Sequence, residues 1–407
     1  MERRHDASPL RLHRVAAIFL DVHRRRNPAF LEAVVELHRA SRLPAGCYAI
    51  DLDAVEHNAR LLATEGRRLG LDVFAMTKQV GRNPALMAAL LRGGLEAGVA
   101  VDMACARALH ACGLRVGHLG HLVQIPGAEA ASAAALTPDW WTVFSLDKAA
   151  EAARASAARG RDQALLMRVV GEGDTFYRGH EGGTPLAELE ATRAAIDGLE
   201  GAHVGGVTTF PALLFDQELR EVVPTPNLRT LERARQLLGD TIAINAPGTT
   251  SSSVLRLLAD AGVTQVEPGH ALTGTTPLHA VRDLPELPAV VYVSEVSHRH
   301  GGQAFCFGGG LYVDPVFPPY PVTALVAREP SLATMREVPI EIPPPEAIDY
   351  YGMLDDATAS TGDTVVCGFR IQAFVTRALV AGVRGVSTGA AHVEGVWASD
   401  GSATVWP

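Results

Sequence analysis

The segment Val73–Pro84, with the sequence VFAMTKQVGRNP, decides the fold. Its first four residues, Val73–Met76, form a short apolar run that is typical of a buried strand. Lys78 follows this run after a single threonine, and Gly81 and Pro84 then interrupt regular structure before a helix. A lysine at the end of a core strand lies at the mouth of a fold. Partial burial there lowers the pKa of the amine and makes it a nucleophile, whereas a solvated strand end would carry no such chemistry.

Strands and helices alternate downstream of this segment. Each apolar run is followed by a stretch with helical spacing. About eight strands over roughly 195 residues is the pattern expected of a closed (βα)8 barrel. An open, doubly wound sheet is the alternative, but no G-x-G-x-x-G motif opens its first helix. The predicted strands are Val73–Met76, Gly98–Val101, Val116–Val123, Trp141–Phe144, Ala164–Val170, Val204–Thr209, Thr241–Ile244 and Thr264–Val266.

The composition changes after Pro277. Proline and glycine become more frequent, and short alternating or β-branched runs replace the long helical patterns. These features predict a β-rich second domain. We therefore divide the chain into an N-terminal helical segment (1–46), a (βα)8 barrel (47–283) that begins with the strand Cys47–Leu52, and a β-rich C-terminal domain (284–407).

Composition and charge limit the classes of function. The chain has 407 residues and a formal net charge of −9, which argues against nucleic acid and anionic membranes as partners. No run of about 18 apolar residues is present, so we expect no membrane span. The first 26 residues, MERRHDASPLRLHRVAAIFLDVHRRR, predict an amphipathic helix and not a signal peptide. Five scattered cysteines without a CxxC pair indicate a reducing compartment, so we expect a cytoplasmic protein.

The strand ends locate the candidate site residues, because functional groups of a barrel lie where its strands end. Lys78 ends strand one and Glu267 ends strand eight, and these strands are neighbours in a closed barrel. Asn245 ends strand seven, and a run of glycine and hydroxyl residues, 248–253, follows before a helix. Backbone N–H groups, hydroxyls and the helix dipole make such a run an anion site.

A lysine, a carboxylate and an anion site at one barrel mouth fit pyridoxal 5′-phosphate (PLP). The lysine binds the cofactor aldehyde covalently, and the carboxylate keeps the pyridine nitrogen protonated, which makes the ring an electron sink. Taken singly, Glu267 is equally a surface acid before a turn, and Gly248–Ser253 a helix cap. Their joint placement favours a PLP enzyme that acts on a small amino-acid substrate.

Seven segments together resemble the fold-type III PLP enzymes, the superfamily of alanine racemase and D-serine dehydratase, and within it the YhfX-type racemase-like proteins. They extend from about residue 47 to residue 395. The resemblance implies a PLP-binding barrel followed by a β-rich domain, and a homodimer with shared active sites. The segments are FAMTKQVGRNP, VGHLGHLVQIP, GGVTTFPALLF, INAPGTTSS, VEPGHALTGTTPLHA, VSEVSHRHGGQAFCFGGG and GDTVVCGFRIQAFVTRA.

The resemblance also implies roles for individual residues. Lys78 is the catalytic lysine that carries PLP. Glu267 stands where alanine racemases have an arginine and related decarboxylases a glutamate, so reactions beyond racemisation are open. Arg178 matches an arginine that orients the lysine and the ring oxygen, and Phe210 replaces a histidine that contacts the ring. The cofactor-binding residues expected from this comparison are Lys78, Arg178, Thr209, Asn245, Gly248, Thr249, Thr250, Glu267, Gly269 and His270.

The second catalytic base is less clear from the sequence. In alanine racemases it is a tyrosine contributed by the partner subunit, and the comparable stretch here, Gln303–Gly308, has no tyrosine. Cys306 is the candidate in its place, because a thiol of suitable pKa can take or return a Cα proton. A buried core cysteine is the alternative interpretation, and Tyr312 and Tyr351 are rival candidates.

We expect no bound metal. The D-serine dehydratase branch has a metal-binding histidine–cysteine motif, but the matching segment Gly362–Gln372 lacks the histidine. Arg370 in this segment is expected to bind a substrate carboxylate or phosphonate instead. Two histidine pairs have metal-ligand spacing, but no further cysteine or carboxylate completes either set. The pairs are His118 with His121 and His298 with His300.

Together these features predict a PLP-dependent amino-acid racemase or epimerase, an isomerase in which Lys78 and Cys306 work on opposite faces of Cα. A decarboxylase or β-eliminating lyase, favoured by Glu267, is the second hypothesis. A PLP-binding regulatory protein with little turnover is the third, and it would need Lys78 without a second base. A barrel without any cofactor is the last alternative.

Overall fold

The computed structural model describes residues 18–314, 320–344 and 347–406. Most of the predicted N-terminal amphipathic helix lies outside these residues, and its last part forms α1 (Ile18–Arg26). No helix of the described ranges is both long and apolar enough to cross a bilayer. The other α-helices are α2 (Pro28–Arg39), α3 (Leu52–Leu69), α4 (Pro84–Arg92), α5 (Met103–Ala111), α6 (Ala130–Ala135), α7 (Leu146–Ala157), α8 (Leu189–Asp197), α9 (Pro226–Leu238) and α10 (Leu255–Asp260).

The middle of the chain forms a barrel of parallel strands. After β1 (Cys47–Asp51), the barrel strands are β2 (Asp72–Val73), β3 (Ala75–Met76), β4 (Ala97–Ala100), β5 (Arg115–Leu119), β6 (Trp140–Val143), β7 (Gln163–Val170), β9 (Ala202–Thr208), β12 (Ala243–Asn245) and β13 (Gln265–Val266). Short strands beside them are β8 (Thr184–Pro185), which pairs with β7, and the hairpin of β10 (Leu213–Asp216) and β11 (Glu221–Pro224).

The barrel is closed. Only Phe74 separates β2 from β3, and its N–H donates to the Val266 carbonyl at 2.9 Å, so β2 and β3 act as one strand. β13 pairs in parallel with β2, and β3 pairs in parallel with β4. The ring therefore contains eight strands in the order β2/β3–β4–β5–β6–β7–β9–β12–β13, which confirms the predicted (βα)8 barrel.

A second sheet contains nine strands and is mostly antiparallel, which confirms the predicted β-rich domain. Its C-terminal strands are β14 (Val290–His300), β15 (Gln303–Phe307), β16 (Thr323–Ala327), β17 (Arg336–Glu341), β18 (Tyr351–Leu354), β19 (Thr364–Cys367), β20 (Leu379–Arg384) and β21 (His392–Ala398). The strand order is β15–β18–β17–β16–β19–β14–β1–β20–β21.

β1 corrects the predicted domain boundary at residue 47. It pairs antiparallel with β14 and parallel with β20, so it lies inside the second sheet and not in the barrel. All five of its residues are buried. Tyr48 and Ile50 pack into the core shared with the barrel, whereas Cys47 and Ala49 pack under α1 and α2. Because side chains alternate along a strand, β1 packs against the barrel core with one face and against α1 and α2 with the other.

Candidate active site

A cavity of about 780 Å³ opens at the carboxyl ends of the barrel strands. One side is barrel, and the opposite wall comes from the second domain. This arrangement follows from the parallel sheet, because all its strands end at the same mouth. The predicted residues that line the cavity are Lys78, Gly248, Thr249, Thr250, Glu267, Gly269 and His270. The second domain contributes Tyr312, Asp314, Arg370, Gln372, Phe374 and Val375.

Lys78 opens a short 3₁₀ turn directly after Thr77, at the end of β3. Its Nζ atom lies 5.3 Å from the centroid of the Phe374 ring, which belongs to the second domain. Burial lowers the pKa of Lys78 from its ordinary value, against the opposing fields of Cys105, Asp314 and Asp102. A lowered pKa increases the neutral, nucleophilic fraction of an amine, as covalent cofactor binding requires.

Glu267 is the centre of a buried polar network at the bottom of the cavity. Its Oε1 accepts hydrogen bonds from the ring of His118 and, at 2.9 Å, from Asn245 Nδ2. Its Oε2 lies 3.1 Å from His121 Nδ1, but the orientation gives no hydrogen bond, and both atoms are buried without a hydrogen-bond partner among the described residues. Glu267 thus brings an unpaired carboxylate oxygen to the cavity.

The Glu267 carboxylate is ionised. Burial opposes this charge, but the two histidines and the hydrogen bonds from His118 and Asn245 outweigh it and lower the pKa of Glu267 to about 2. Burial also lowers the pKa of His121 to about 3, against the attraction of Glu267. The hydrogen bonds from His118 and Asn245 stabilise the Glu267 carboxylate in either protonation state of His121.

The structure corrects one statement about metals. His118 and His121 do have a carboxylate that completes a set, because Glu267 lies far away in sequence but within 4.8 Å of both rings through its ligand atoms. In the arrangement described here, His118 uses both ring nitrogens in hydrogen bonds, to Glu267 and to Thr142. Two of the three possible ligands, His118 and Glu267, are thus already hydrogen-bonded to each other, whereas His121 Nδ1 and Glu267 Oε2 stay open.

The predicted phosphate loop lies where expected but is partly occupied. Thr249 N–H donates to the Leu213 carbonyl at 3.0 Å, and Ser252 N–H donates to the buried carboxylate of Glu286 at 2.7 Å. A 3₁₀ turn precedes α10, so the loop does not lead directly into an α-helix. Two backbone N–H groups of the loop are therefore already used, and fewer remain for a phosphate than predicted. Thr249 and Thr250 do line the cavity.

The second-domain wall presents a cation. Arg370 lies in the segment after β19, and its side chain is only 12% exposed. Its Nη1 lies 2.7 Å from Asp314 Oδ2, without hydrogen-bond geometry, and its Nε has no hydrogen-bond partner among the described residues. Gln372 Nε2 donates to the same Asp314 oxygen, and His270 Nε2 lies 3.7 Å from it. Arg370 is thus held in place with donor capacity left over for an anion.

Four predicted residues do not line the cavity. Arg178 is exposed, so the role of orienting the lysine does not fit its position. Thr209 is buried and accepts a hydrogen bond from Asn227 at 3.1 Å. Asn245 does not reach the cavity itself, but its side chain donates a hydrogen bond to Glu267, which does.

Cys306, the predicted second base, is 0% exposed in the core of the second domain, and burial raises the pKa of its thiol to about 11. This position favours the alternative interpretation, a buried core cysteine, and the catalytic role of Cys306 stays an untested prediction.

An aromatic cluster lines the cavity beside β7 and β9. Phe210 lies 5.4 Å from the His121 ring, 5.6 Å from Tyr177 and 6.0 Å from His180, measured between ring centroids. The sequence had singled out Phe210. It missed His180, as well as Asp314, Gln372 and Phe374, because these residues lie in irregular segments without a periodic pattern.

The other histidine pair does not line the cavity. His298 and His300 are exposed at the end of β14. The His298 ring stacks on Phe305 at 4.7 Å and contacts Tyr351 edge-on at 5.0 Å. We call the neighbouring exposed aromatic residues, Phe307, Tyr350 and Tyr351, together with Ile348, the edge patch.

Comparisons with known proteins agree with this architecture. The alanine racemase N-terminal domain family matches residues 50–277, and the YhfX-like C-terminal domain family matches residues 291–393. The uncharacterized protein YhfX of Escherichia coli (strain K12) is 40% identical over 389 residues, which is 95% of this chain and 99% of that protein.

Solved structures share the fold at low sequence identity. An alanine racemase-like protein from Idiomarina loihiensis has a TM-score of 0.65 and 15% identity, covering 90% of this chain and 99% of that one. D-threonine aldolase from Filomicrobium marinum has a TM-score of 0.61 and 16% identity, covering 88% and 96%. The barrel match over more than half of the chain, and the identity to YhfX along nearly all of it, show that this protein belongs to the alanine racemase-like family and carries the YhfX-like C-terminal domain.

Proposed function

We propose that this protein is a PLP-dependent enzyme that acts at Cα of an amino acid, as a racemase or epimerase. The observation that carries the proposal is that Lys78 and Glu267 line the same cavity, and that Glu267 Oε2 is buried there without a hydrogen-bond partner among the described residues. An unpaired buried carboxylate oxygen is costly unless a ligand completes its hydrogen bonds. A protonated pyridine nitrogen would complete them.

The residues present fit PLP. Lys78 would bind the aldehyde carbon, Glu267 would bind the ring nitrogen, and Thr249, Thr250 and the Gly269 segment would hold the phosphate. Phe210 would supply an apolar contact for the ring. When bound, PLP supplies an electron-accepting ring that stabilises negative charge at Cα of the substrate.

Three side chains of this protein would each have a separate role in the reaction. Ionised Glu267 would keep a proton on the pyridine nitrogen of bound PLP and so increase the electron demand of the ring. Lys78, with its lowered pKa, both holds the cofactor and exchanges a proton at Cα. Arg370 would bind the substrate carboxylate from the second-domain wall and so orient the substrate in the cavity.

A PLP-dependent decarboxylase or lyase is the second candidate, and Glu267 favours it. A carboxylate at the ring nitrogen supports strong electron withdrawal, which serves the loss of a carboxylate or a β-substituent as well as of a proton. The name of one structural neighbour, D-threonine aldolase, shows that this fold is not restricted to racemases. A PLP-binding regulatory role with little turnover is the third candidate.

A homodimer with shared active sites is part of the proposal. The edge patch exposes large apolar side chains, including Phe307 at 37% and Tyr351 at 38%, and such clusters mark protein contacts. Val375, also exposed, lies at the cavity and extends this apolar surface towards it. The five cysteines are all free, which supports the cytoplasm as the compartment.

The decisive experiment locates the cofactor and follows the Cα proton. Purified protein is incubated with PLP, reduced with borohydride and digested, and we expect the pyridoxyl group on Lys78. Lys78→Ala should abolish both this label and turnover, a loss of at least about 1,000-fold. Lys148→Ala, which removes a lysine of α7 paired with Glu151, is the matched control.

The reaction class is read from a panel of separate L- and D-amino acids in heavy water. Exchange of the Cα proton with the amino acid retained supports the racemase. Release of carbon dioxide or an oxo acid supports the lyase. Labelling at Lys78 without any turnover supports the regulatory role, and the absence of label at Lys78 contradicts the whole proposal.

A further inference from the structure

His180 and Lys78 belong to segments that follow different strands of the barrel. His180 belongs to the irregular segment that follows β7, and it lines the same cavity as Lys78. In the closed ring of eight strands, β7 is four places from β2/β3 in either direction. The segment that carries His180 and the turn that carries Lys78 therefore start from strands on opposite sides of the barrel.

The ring of His180 has an unused nitrogen. Nδ1 is buried and has no hydrogen-bond partner among the described residues. The ring packs edge-on against Tyr177 at 5.8 Å and beside Phe210 at 6.0 Å, and Arg168 donates to the His180 carbonyl. Its orientation is thus fixed by its neighbours. A buried nitrogen without a partner is unfavourable unless a ligand completes its hydrogen bond.

We propose that His180 is the acid–base group that serves the face of Cα opposite Lys78. This inference rests on the proposed PLP function. In one direction, the lone pair of a ring nitrogen takes the proton of the Cα–H bond, and the electron pair of that bond passes into the electron sink. Lys78 then delivers a proton to the other face, and a new C–H bond forms. The enzyme has gained one proton and lost one, and solvent exchange restores both groups.

Charge and burial suit this role. Burial, together with the cations Lys78 and Arg168, lowers the pKa of His180, and Glu181 opposes this shift. A neutral imidazole is therefore available to accept a proton near pH 7. A phenol is a poorer acceptor, since its ordinary pKa is about 10, and burial raises the pKa of Tyr177 further. Tyr351, by contrast, lies on the exposed edge patch.

The test measures proton exchange for each enantiomer separately. The full-length protein, loaded with PLP, is given the L- or the D-form of an amino acid that the wild-type protein exchanges in heavy water. His180→Gln and His180→Asn each keep one nitrogen-bearing group but cannot accept a proton. We expect exchange from one enantiomer to fall about 100-fold, whereas exchange from the other stays within about threefold of wild type. His57→Gln, on the exposed face of α3, is the control.

A second readout separates chemistry from cofactor binding. Titration of PLP onto the apoprotein should give the same affinity for both His180 variants as for wild type. Equal loss of exchange from both enantiomers, unchanged exchange from both, or weakened PLP binding would each overturn the assignment of His180. Failure of the wild-type protein to bind PLP at Lys78 or to exchange either enantiomer is a different result, and it overturns the proposed function itself.

Discussion

The two walls of the cavity differ in the charge of the groups that they leave without hydrogen bonds. On the barrel wall, Glu267 receives hydrogen bonds from His118 and Asn245, and only its Oε2 is left open. On the second-domain wall, Arg370 and Gln372 both keep buried atoms without a hydrogen-bond partner among the described residues. The open carboxylate oxygen on the barrel wall suits the protonated nitrogen of a cofactor ring, whereas the open Arg370 nitrogens suit the carboxylate of a substrate. We therefore assign cofactor binding to the barrel and substrate choice to the second domain.

The largest effect on Cα exchange should come from removing the charge of Glu267 on the barrel wall. Glu267→Gln keeps the size of the side chain but cannot hold a proton on the ring nitrogen. We expect Cα exchange to fall at least about 100-fold, because the stabilisation of negative charge at Cα is lost. The measurement is the exchange rate in heavy water at saturating substrate. Glu221→Gln, an exposed residue of β11, is the matched control.

The same variant tests the assignment of roles to the two walls. PLP should still label Lys78 in Glu267→Gln, and the Michaelis constant for the amino acid should change little. A large rise in that constant with normal turnover would mean that Glu267 contacts substrate, and the division between the two walls would then be wrong.

The second-domain wall should give the opposite kinetic pattern. Arg370→Lys keeps a cation opposite Asp314 but loses the planar fork that binds a carboxylate through two parallel bonds. We expect the Michaelis constant to rise about 10- to 100-fold, equivalent to a charged hydrogen bond of about 1.5–3 kcal/mol, with PLP affinity unchanged. Arg377→Lys, an exposed arginine paired with Asp349, should leave both constants unchanged. A fall in PLP affinity for Arg370→Lys would place Arg370 at the cofactor instead.

The barrel wall could be predicted from sequence because it is built from consecutive units. Each strand end follows from a local apolar run, so Lys78 and Glu267 could be located without long-range information. Closure of the ring then makes the two residues neighbours. The sequence did not predict that His118 and His121 lie beside Glu267. No pattern in the neighbouring sequence indicates a contact with a residue roughly 150 positions away.

The second-domain wall could not be predicted in the same way. Asp314, Gln372 and Phe374 lie in irregular segments, where no period fixes the direction of a side chain. The fold around them is also non-local, since β1 comes from one end of the chain and pairs with β14 and β20 from the other. A strand with both faces buried looks the same in a barrel and in the centre of an open sheet, which is why the boundary at residue 47 was misplaced.

The helices that cover the second sheet make the fold sensitive to acid. Burial lowers the pKa of His23 in α1 to about 4, whereas the unfolded value is about 6.5. Between these values only the unfolded chain binds the proton, so the free energy of unfolding falls as the pH falls from 7 to 5, by up to about 2 kcal/mol for this one group. His23→Gln should reduce that loss by about 1–2 kcal/mol in urea unfolding at the two pH values. His57→Gln is the control, and an unchanged loss in His23→Gln would show that the His23 ring is not enclosed.

The smallest effect on activity should come from Cys306. Its thiol is enclosed on β15, and Cys367 on β19 is buried in the same way. Cys306→Ala and Cys367→Ala should therefore behave alike, with unfolding free energies lowered by about 1 kcal/mol and Cα exchange within about twofold of wild type. The two are a matched pair, since a core role predicts equal effects and a catalytic role predicts a difference. Loss of exchange in Cys306→Ala alone, with unfolding as in Cys367→Ala, would show that the second-domain core opens towards the substrate. The proton acceptor opposite Lys78 would then have to be sought on that wall and not at His180.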